Sequence, residues 1–236
     1  MNQVTSKTYD SHILSQGLQF QIDNYYQPKD AILKRRISII IDAIDPQPGE
    51  TILDIGCGVG TFAFHCAQKK AITYGLDYSP ASLSAAKSLC AKFEQKDARF
   101  VLGCAKALPF KTGYFDKVVA ADFIEHITWE DKVELFKEIY RVIKKNGLLV
   151  IFTPNNLREK IGDAYWRLKK ILFKQTVPST ELHFGLINRF ELEPLLESSG
   201  FKQTLKFEDV NRPYLAKLPF LNNLLALELL WKAIKK

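Results

Sequence analysis

The chain has 236 residues, 47% of them apolar and 25% charged, and its 33 Lys and Arg against 26 Asp and Glu give a formal net charge of +7. These proportions exclude a disordered, collagenous or low-complexity polypeptide and fit one large domain. No apolar stretch is long enough to span a bilayer, and the opening residues lack the basic-then-apolar layout of a secretory signal, so a cytoplasmic protein is expected.

The basic surplus is spread out, densest at Lys34–Arg36, at Lys144 and Lys145, and across residues 158–174. It suits a mildly basic surface, an anionic membrane, an anionic substrate or nucleic acid. With no arginine-rich tail and no nucleic-acid motif, DNA is not an expected partner and other nucleic acid is disfavoured. The four cysteines, Cys57, Cys66, Cys90 and Cys104, form no C-x-x-C pair and have no histidine at metal spacing. They read as reduced thiols, with no metal site expected.

Residues 1–48 read as a helical segment that joins a substrate lid. Within it, Ala31–Ile44 puts Ile32, Ile37, Ile40, Ile41 and Ile44 along one helical face, and the helix stops at Pro46-Gln47-Pro48-Gly49. The principal domain follows, residues 49–236, with strands and helices in alternation. Thr51–Ile55, Ile72–Leu76, Ala98–Leu102, Phe115–Ala121 and Leu148–Thr153 read as strands. Helices are predicted over Phe62–Lys70, after Ser79-Pro80, and over Trp129–Ile143, the last closed by a Lys144–Gly147 turn in which Gly147 takes the left-handed conformation. Alternation of this kind predicts an α/β fold with a mostly parallel sheet and helices on both faces, and ligands then bind at the carboxyl edge of the strands. Residues 154–188 interrupt the rhythm as an insertion, read either as a substrate lid or as a helix packed on the sheet. Phe190–Ser199 reads as a helix and Phe201–Val210 as a sixth strand. The tail, Leu218–Ile234, reads as a short helix and a closing strand, or as an amphipathic helix on a membrane.

The chemistry concentrates at Leu53-Asp54-Ile55-Gly56-Cys57-Gly58-Val59-Gly60-Thr61. Glycines there permit a tight turn and close approach of a ligand to the backbone. The pattern is G-x-G-x-G, not the dinucleotide G-x-G-x-x-G, and it lacks the G-K-[ST] of a phosphate-cradling loop. Asp77 ends the second strand, where a carboxylate can accept hydrogen bonds from both ribose hydroxyls or can cap the following helix.

These residues resemble motif I of class I S-adenosylmethionine-dependent methyltransferases, and further segments keep that family's order. Gly75-Leu-Asp77-Tyr-Ser79 resembles its ribose-binding segment, Ala107-Leu-Pro109-Phe110 with Phe115-Asp116-Lys-Val118 its L-P-F and F-D-x-V stretch, and Asp122-Phe-Ile-Glu125-His126 its E-H segment. Glu181-Leu-His183 and Leu196–Phe201 are similar to the late region of the quinone-biosynthesis type. The resemblance implies a Rossmann-like seven-stranded sheet with S-adenosyl-L-methionine as cofactor. It places the methionine end of the cofactor on Gly56, Cys57, Gly58 and Gly60, with Asp54 orienting that loop. It further gives the ribose to Asp77, the adenine flank to Tyr78, and completion of the methionine pocket to Asp122. Where family members often carry an aspartate on the adenine amino group, this chain has Cys104, so either backbone at Ala105 suffices or adenine is held less tightly.

Methyl transfer from a sulfonium needs mainly a positioned nucleophile, helped by a base if that nucleophile is a hydroxyl. His126 and His183 are the candidate bases, read alternatively as a packing and a loop histidine. Tyr25 and Tyr26 either line the acceptor pocket or serve as packing aromatics. The implied acceptor is a small molecule or lipid-linked compound, such as a quinone precursor, isoprenoid or saccharide, reached in peripheral contact with an anionic membrane. An RNA or protein methyltransferase and a non-catalytic cofactor-binding module are the alternatives.

Overall fold

The computed structural model describes residues 6–156, 185–205 and 228–236. The N-terminal segment folds as α1 (Ser6–Gln21), a π-helix (Ile22–Tyr26) and α2 (Ala31–Ile44). The Asp30 carboxylate starts α2 by accepting the N–H groups of Ile32 and Leu33, which satisfies donors that have no partner inside the helix. Ile40, Ile41 and Ile44 are buried as the period predicts, but Ile32 stands 54% exposed and does not join them.

The alternating region forms β1 (Thr51–Ile55), α3 (Thr61–Gln68), β2 (Ile72–Asp77), α4 (Pro80–Lys92), β3 (Ala98–Leu102), β4 (Phe115–Ala121), α5 (Trp129–Val142), β5 (Ile143–Pro154), α6 (Arg189–Ser198), β6 (Phe201–Leu205) and β7 (Glu228–Lys235). They build a seven-stranded sheet in the order β3-β2-β1-β4-β5-β7-β6, with β7 antiparallel to both neighbours and the other pairs parallel. Strand period explains the two-faced core, since successive side chains leave a strand on opposite sides. Leu53, Val118, Ala120, Leu149, Ile151 and Trp231 pack against α5 and α6 on one face. Ile52, Val119, Val150, Phe152 and Leu230 meet α2 and α3 on the other. Each fully buried Leu or Ile of these layers removes apolar surface from water, worth about 1.5–3 kcal/mol.

Two expectations are corrected. No turn separates α5 from β5. The strand begins at Ile143, opposite Phe115, and the ladder resumes only at Leu148 opposite Lys117, so residues 144–147 form a bulge. Asn146, at φ 62°, carries the left-handed conformation assigned to Gly147. Gly147 is needed for room, because a Cβ there would lie 2.7 Å from Ile143 Cγ1 and 2.9 Å from the Asp116 carbonyl oxygen. Secondly, β7 is a strand but does not close the sheet. It lies between β5 and β6, leaving β6 at the edge. Most of the 154–188 insertion, the later part of the expected 201–210 strand and the start of the tail lie outside the described residues.

Gly147→Ala should cost about 1–3 kcal/mol through overpacking and lower Tm by roughly 3–10 °C, whereas Asn146→Gly should leave Tm nearly unchanged. Thermal denaturation of the two variants checks this, and a Gly147→Ala protein melting with wild type would show slack in the bulge.

Candidate functional site

Strand order reverses at β1, flanked by β2 and β4, and a cavity of about 640 Å³ opens at the carboxyl edge there. Every strand from β1 to β5 supplies lining from the residues at or just beyond its end: Gly56–Val59, Asp77 and Tyr78, Gly103–Lys106, Ala121–Phe123 with Glu125–Thr128, and Pro154. The outer wall comes from the N-terminal segment, through Ile13, Gln16, Gln21, Asn24, Tyr25, Leu33, Arg36 and Ile37.

The glycine loop is shaped from both sides. Gly56 has φ 68°, and a Cβ there would fall 2.2 Å from Cδ2 of Phe123, whose side chain packs against the turn. The loop then feeds α3, whose cap position is Gly60 and offers no side chain. Asp54 does that work from the end of β1, its Oδ2 accepting the Ala63 N–H at 3.0 Å. Complete burial pushes the Asp54 carboxyl up to about 7, the Ala63 N–H opposing and the nearby Asp77 charge reinforcing the rise. Asp77 is the second anchor. It accepts the Gly58 N–H at 2.8 Å and the Ser79 N–H at 2.9 Å, so one carboxylate ties the glycine loop to the start of α4. Its pKa is raised by burial, with those N–H groups opposing.

The sequence candidates separate cleanly. Gly56, Cys57, Gly58, Asp77, Tyr78, Cys104, Ala105, Asp122 and His126 share the one cavity. Asp54 and Gly60 do not line it and act from behind through the loop and helix. His183 lies outside the described residues. Burial holds the Cys57 thiol well above its ordinary pKa, so it is protonated, while Cys104 is exposed. Burial raises the Tyr78 phenol to about 12, helped by Asp77. Of the tyrosine pair, Tyr25 lines the cavity, and Tyr26 is buried against Phe64 and Phe93 with its hydroxyl on the Val59 carbonyl.

His126 ends a 3-10 turn (Ile124–His126) on a loop fixed from behind. The buried Glu125 carboxylate accepts the Thr153 hydroxyl at 3.1 Å, the Glu125 carbonyl accepts the Gly185 N–H at 2.9 Å, and the Lys132 ammonium donates to the Ile127 carbonyl at 2.6 Å. Burial brings Lys132 down to about 8, with Glu125 opposing.

Arg36 was not singled out in the sequence. It lines the cavity, forms an ion pair with Asp122 and lies over the Phe152 ring at 5.1 Å. Burial lowers its pKa, against the charges of Glu228 and Glu125. Asp122 meets it from a left-handed backbone at φ 51°, a conformation aspartate tolerates better than most residues. The available signal was a cation set between Leu33, Ile37 and Ile40, inside the apolar stripe of an amphipathic helix.

A family model described as a methyltransferase domain matches residues 53–151. An uncharacterised methyltransferase of Synechocystis sp. is 32% identical over 154 residues, which are 65% of this chain and 68% of that protein. A demethylmenaquinone methyltransferase of Lactococcus lactis is 31% identical over 133 residues, covering 55% of this chain and 51% of the relative, so only about half of that enzyme's length is matched. Among solved structures, a Haemonchus contortus phosphoethanolamine N-methyltransferase bound to phosphomonomethylethanolamine and S-adenosylhomocysteine superposes with a TM-score of 0.69 at 19% identity, covering 98% of this chain and 60% of that one. At that identity the likeness speaks for the fold.

Because Asp54 holds a proton near neutrality that the unfolded chain releases at about 3.8, its contribution to stability is full below that value and is lost as pH rises through 7. Asp54→Asn should therefore flatten the fall in Tm between pH 5 and 8. Superimposable Tm profiles for the variant and wild type would mean that Asp54 titrates as in the unfolded chain.

Proposed function

Because the chain belongs to the S-adenosylmethionine-dependent methyltransferase family, we propose that it methylates a small-molecule or lipid-linked acceptor of the quinone, isoprenoid or saccharide kind, at oxygen or carbon. The cofactor is S-adenosyl-L-methionine, and the site fits it. Asp77, held by the Gly58 and Ser79 N–H groups, sets a carboxylate beside the glycine turn, and the acidic side chains of the cavity (Asp77, Asp122, Glu125 and Asp131) outnumber its cations Arg36 and Lys106, which suits a cationic ligand. When bound, the cofactor supplies an electrophilic methyl group on a sulfonium whose departure leaves a neutral sulfide.

The roles fall to the chain's own atoms. The turn at Gly56, Cys57 and Gly58 takes the methionine end, with Phe123 packed on Gly56 and Asp122 next to it. Asp77 takes the ribose hydroxyls, Tyr78 flanks the adenine, and backbone at Cys104 and Ala105 borders the base. His126, on the braced loop, removes the acceptor proton where the acceptor is a hydroxyl. The acceptor half is bounded by Ile13, Leu33, Ile37, Ile127 and Tyr25, with Gln16, Gln21, Asn24 and Arg36 set among them, an apolar surface carrying a few polar groups that suits a ring or isoprenoid chain with polar substituents. That lining is the observation that carries the acceptor class, and the matched demethylmenaquinone enzyme supports it.

The N-terminal segment then serves as part of the substrate lid, with residues 154–188 as its other part. Among the described residues no helix is long and apolar enough to cross a membrane. Exposed Ile32, Lys34 and Arg35, on the helix that lines the cavity, support a peripheral approach to an anionic surface.

A labelled-methyl assay against lipid, saccharide and RNA extracts tests this reading. Label should enter the lipid or small-molecule fraction, and label confined to RNA would overturn it. In calorimetry Asp77→Ala should weaken S-adenosylhomocysteine binding by roughly 10–100-fold, since hydrogen bonds to a charged group are lost. His126→Ala should lower kcat roughly 100-fold with little change in cofactor affinity, and full activity would clear His126 of the role.

A further inference from the structure

The N-terminal segment does more than wall the cavity. It is bonded separately to three of the loops that carry the cofactor residues, those after β1, β2 and β4. Asp10 of α1 accepts the Ser79 hydroxyl at 2.5 Å and the Ala81 N–H at 3.2 Å, beside the carboxylate of Asp77. Tyr26, at the end of the π-helix, donates its hydroxyl to the carbonyl of Val59 within the glycine loop at 2.7 Å. Arg36 of α2 pairs with Asp122 in the loop after β4. A further bond joins His65 Nε2 of α3 to the Tyr25 carbonyl at 3.0 Å.

Two features of the segment suit it to opening. α1 is bent at Gly17, at φ 72° and ψ 163°, and no atom lies within 4 Å of where a Cβ would stand, so the bend is not wedged by packing. Ile22–Tyr26 is wound as a π-helix, a costlier winding than the α-helix that recurs at functional sites. Gln21, just before the π-helix, and Asn24, within it, line the cavity.

We propose that Asp10, Tyr26 and Arg36 are positioning residues that latch the N-terminal segment onto the cofactor loops, so that S-adenosyl-L-methionine enters and S-adenosyl-L-homocysteine leaves only when the segment unlatches. This rests on the methyltransferase reading above and adds a step to it. Acceptor wall and cofactor loops form one mechanical unit, and opening the wall also loosens the grip on the cofactor. Cofactor exchange, not the affinity of the closed site, is what the latches set.

The test is the kinetics of S-adenosylhomocysteine binding to the full chain, followed by surface plasmon resonance. Tyr26→Phe keeps the ring against Phe64 and Phe93 and removes the hydroxyl alone. Losing one buried hydrogen bond from the closed state should raise both the association and dissociation rate constants about three- to tenfold, with Kd within about twofold of wild type. Asp10→Ala, on a different latch, should shift both rates in the same direction and serves if Tyr26→Phe proves unstable. A dissociation rate that rises alone would make these residues shapers of the loop and overturn the latch. Unchanged rates with a lowered Tm would make them purely structural and overturn it equally. Absence of S-adenosylhomocysteine binding by the wild-type chain would instead remove the cofactor reading itself.

Discussion

The site depends on one shared carboxylate. Asp77 accepts N–H groups from Gly58 and Ser79, and thereby pins a left-handed glycine turn from β1 against the start of the helix that follows β2. Neither loop could hold that relation alone. A glycine turn has too many accessible conformations, and a helix start leaves donors unsatisfied. Placing the acceptor at the end of a central strand solves both problems, because the sheet fixes its position. Carboxylate and turn then present a rigid edge at the point where strand order reverses.

A second carboxylate works in the same way from deeper in the sheet. Asp54 caps α3 in place of the side chain Gly60 lacks, and burial keeps it protonated to about 7. The glycine at the cap is there for space, since the Phe100 ring would sit 2.7 Å from a Cβ. Packing therefore dictates Gly56 and Gly60, a left-handed backbone with open space around it suits Gly58, and the two aspartates answer N–H groups of the turn and of the helix it feeds. Along the resulting cleft Asp77, Asp122, Glu125 and Asp131 outnumber Arg36 and Lys106, an environment that favours a cationic ligand over an anionic one. Across it stands a wall built from the N-terminal helices, in which Ile13, Leu33 and Ile37 alternate with Gln16, Gln21, Asn24 and Arg36.

Much of this was legible in the residues. Short β-branched runs, each followed by a helical stretch, specify a parallel sheet, and the glycine turn with a carboxylate at the next strand end specifies where its ligand lies. Four features were less readable, for physical reasons. Lys144–Gly147 has the composition of a helix C-terminus, yet the same residues form a bulge once Lys144 pairs with Asp116 at 2.8 Å. The position of β7 between β5 and β6 follows from tertiary pairing that no local pattern encodes. Arg36 reads as one more cation in a basic run, because its partner Asp122 and the Phe152 ring are distant in sequence. Tyr25 and Tyr26 are adjacent and alike, and which of them faces the cavity and which the core depends on how the helix is rotated against the sheet.

The most direct measurement of the central claim is a crystal structure of the chain soaked with S-adenosylhomocysteine. The account requires ligand density along the Gly56–Gly58 turn, with the ribose hydroxyls within hydrogen-bonding distance of the Asp77 carboxylate. Density lodged elsewhere, or a turn closed over by Phe123 that admits no ligand, would contradict it.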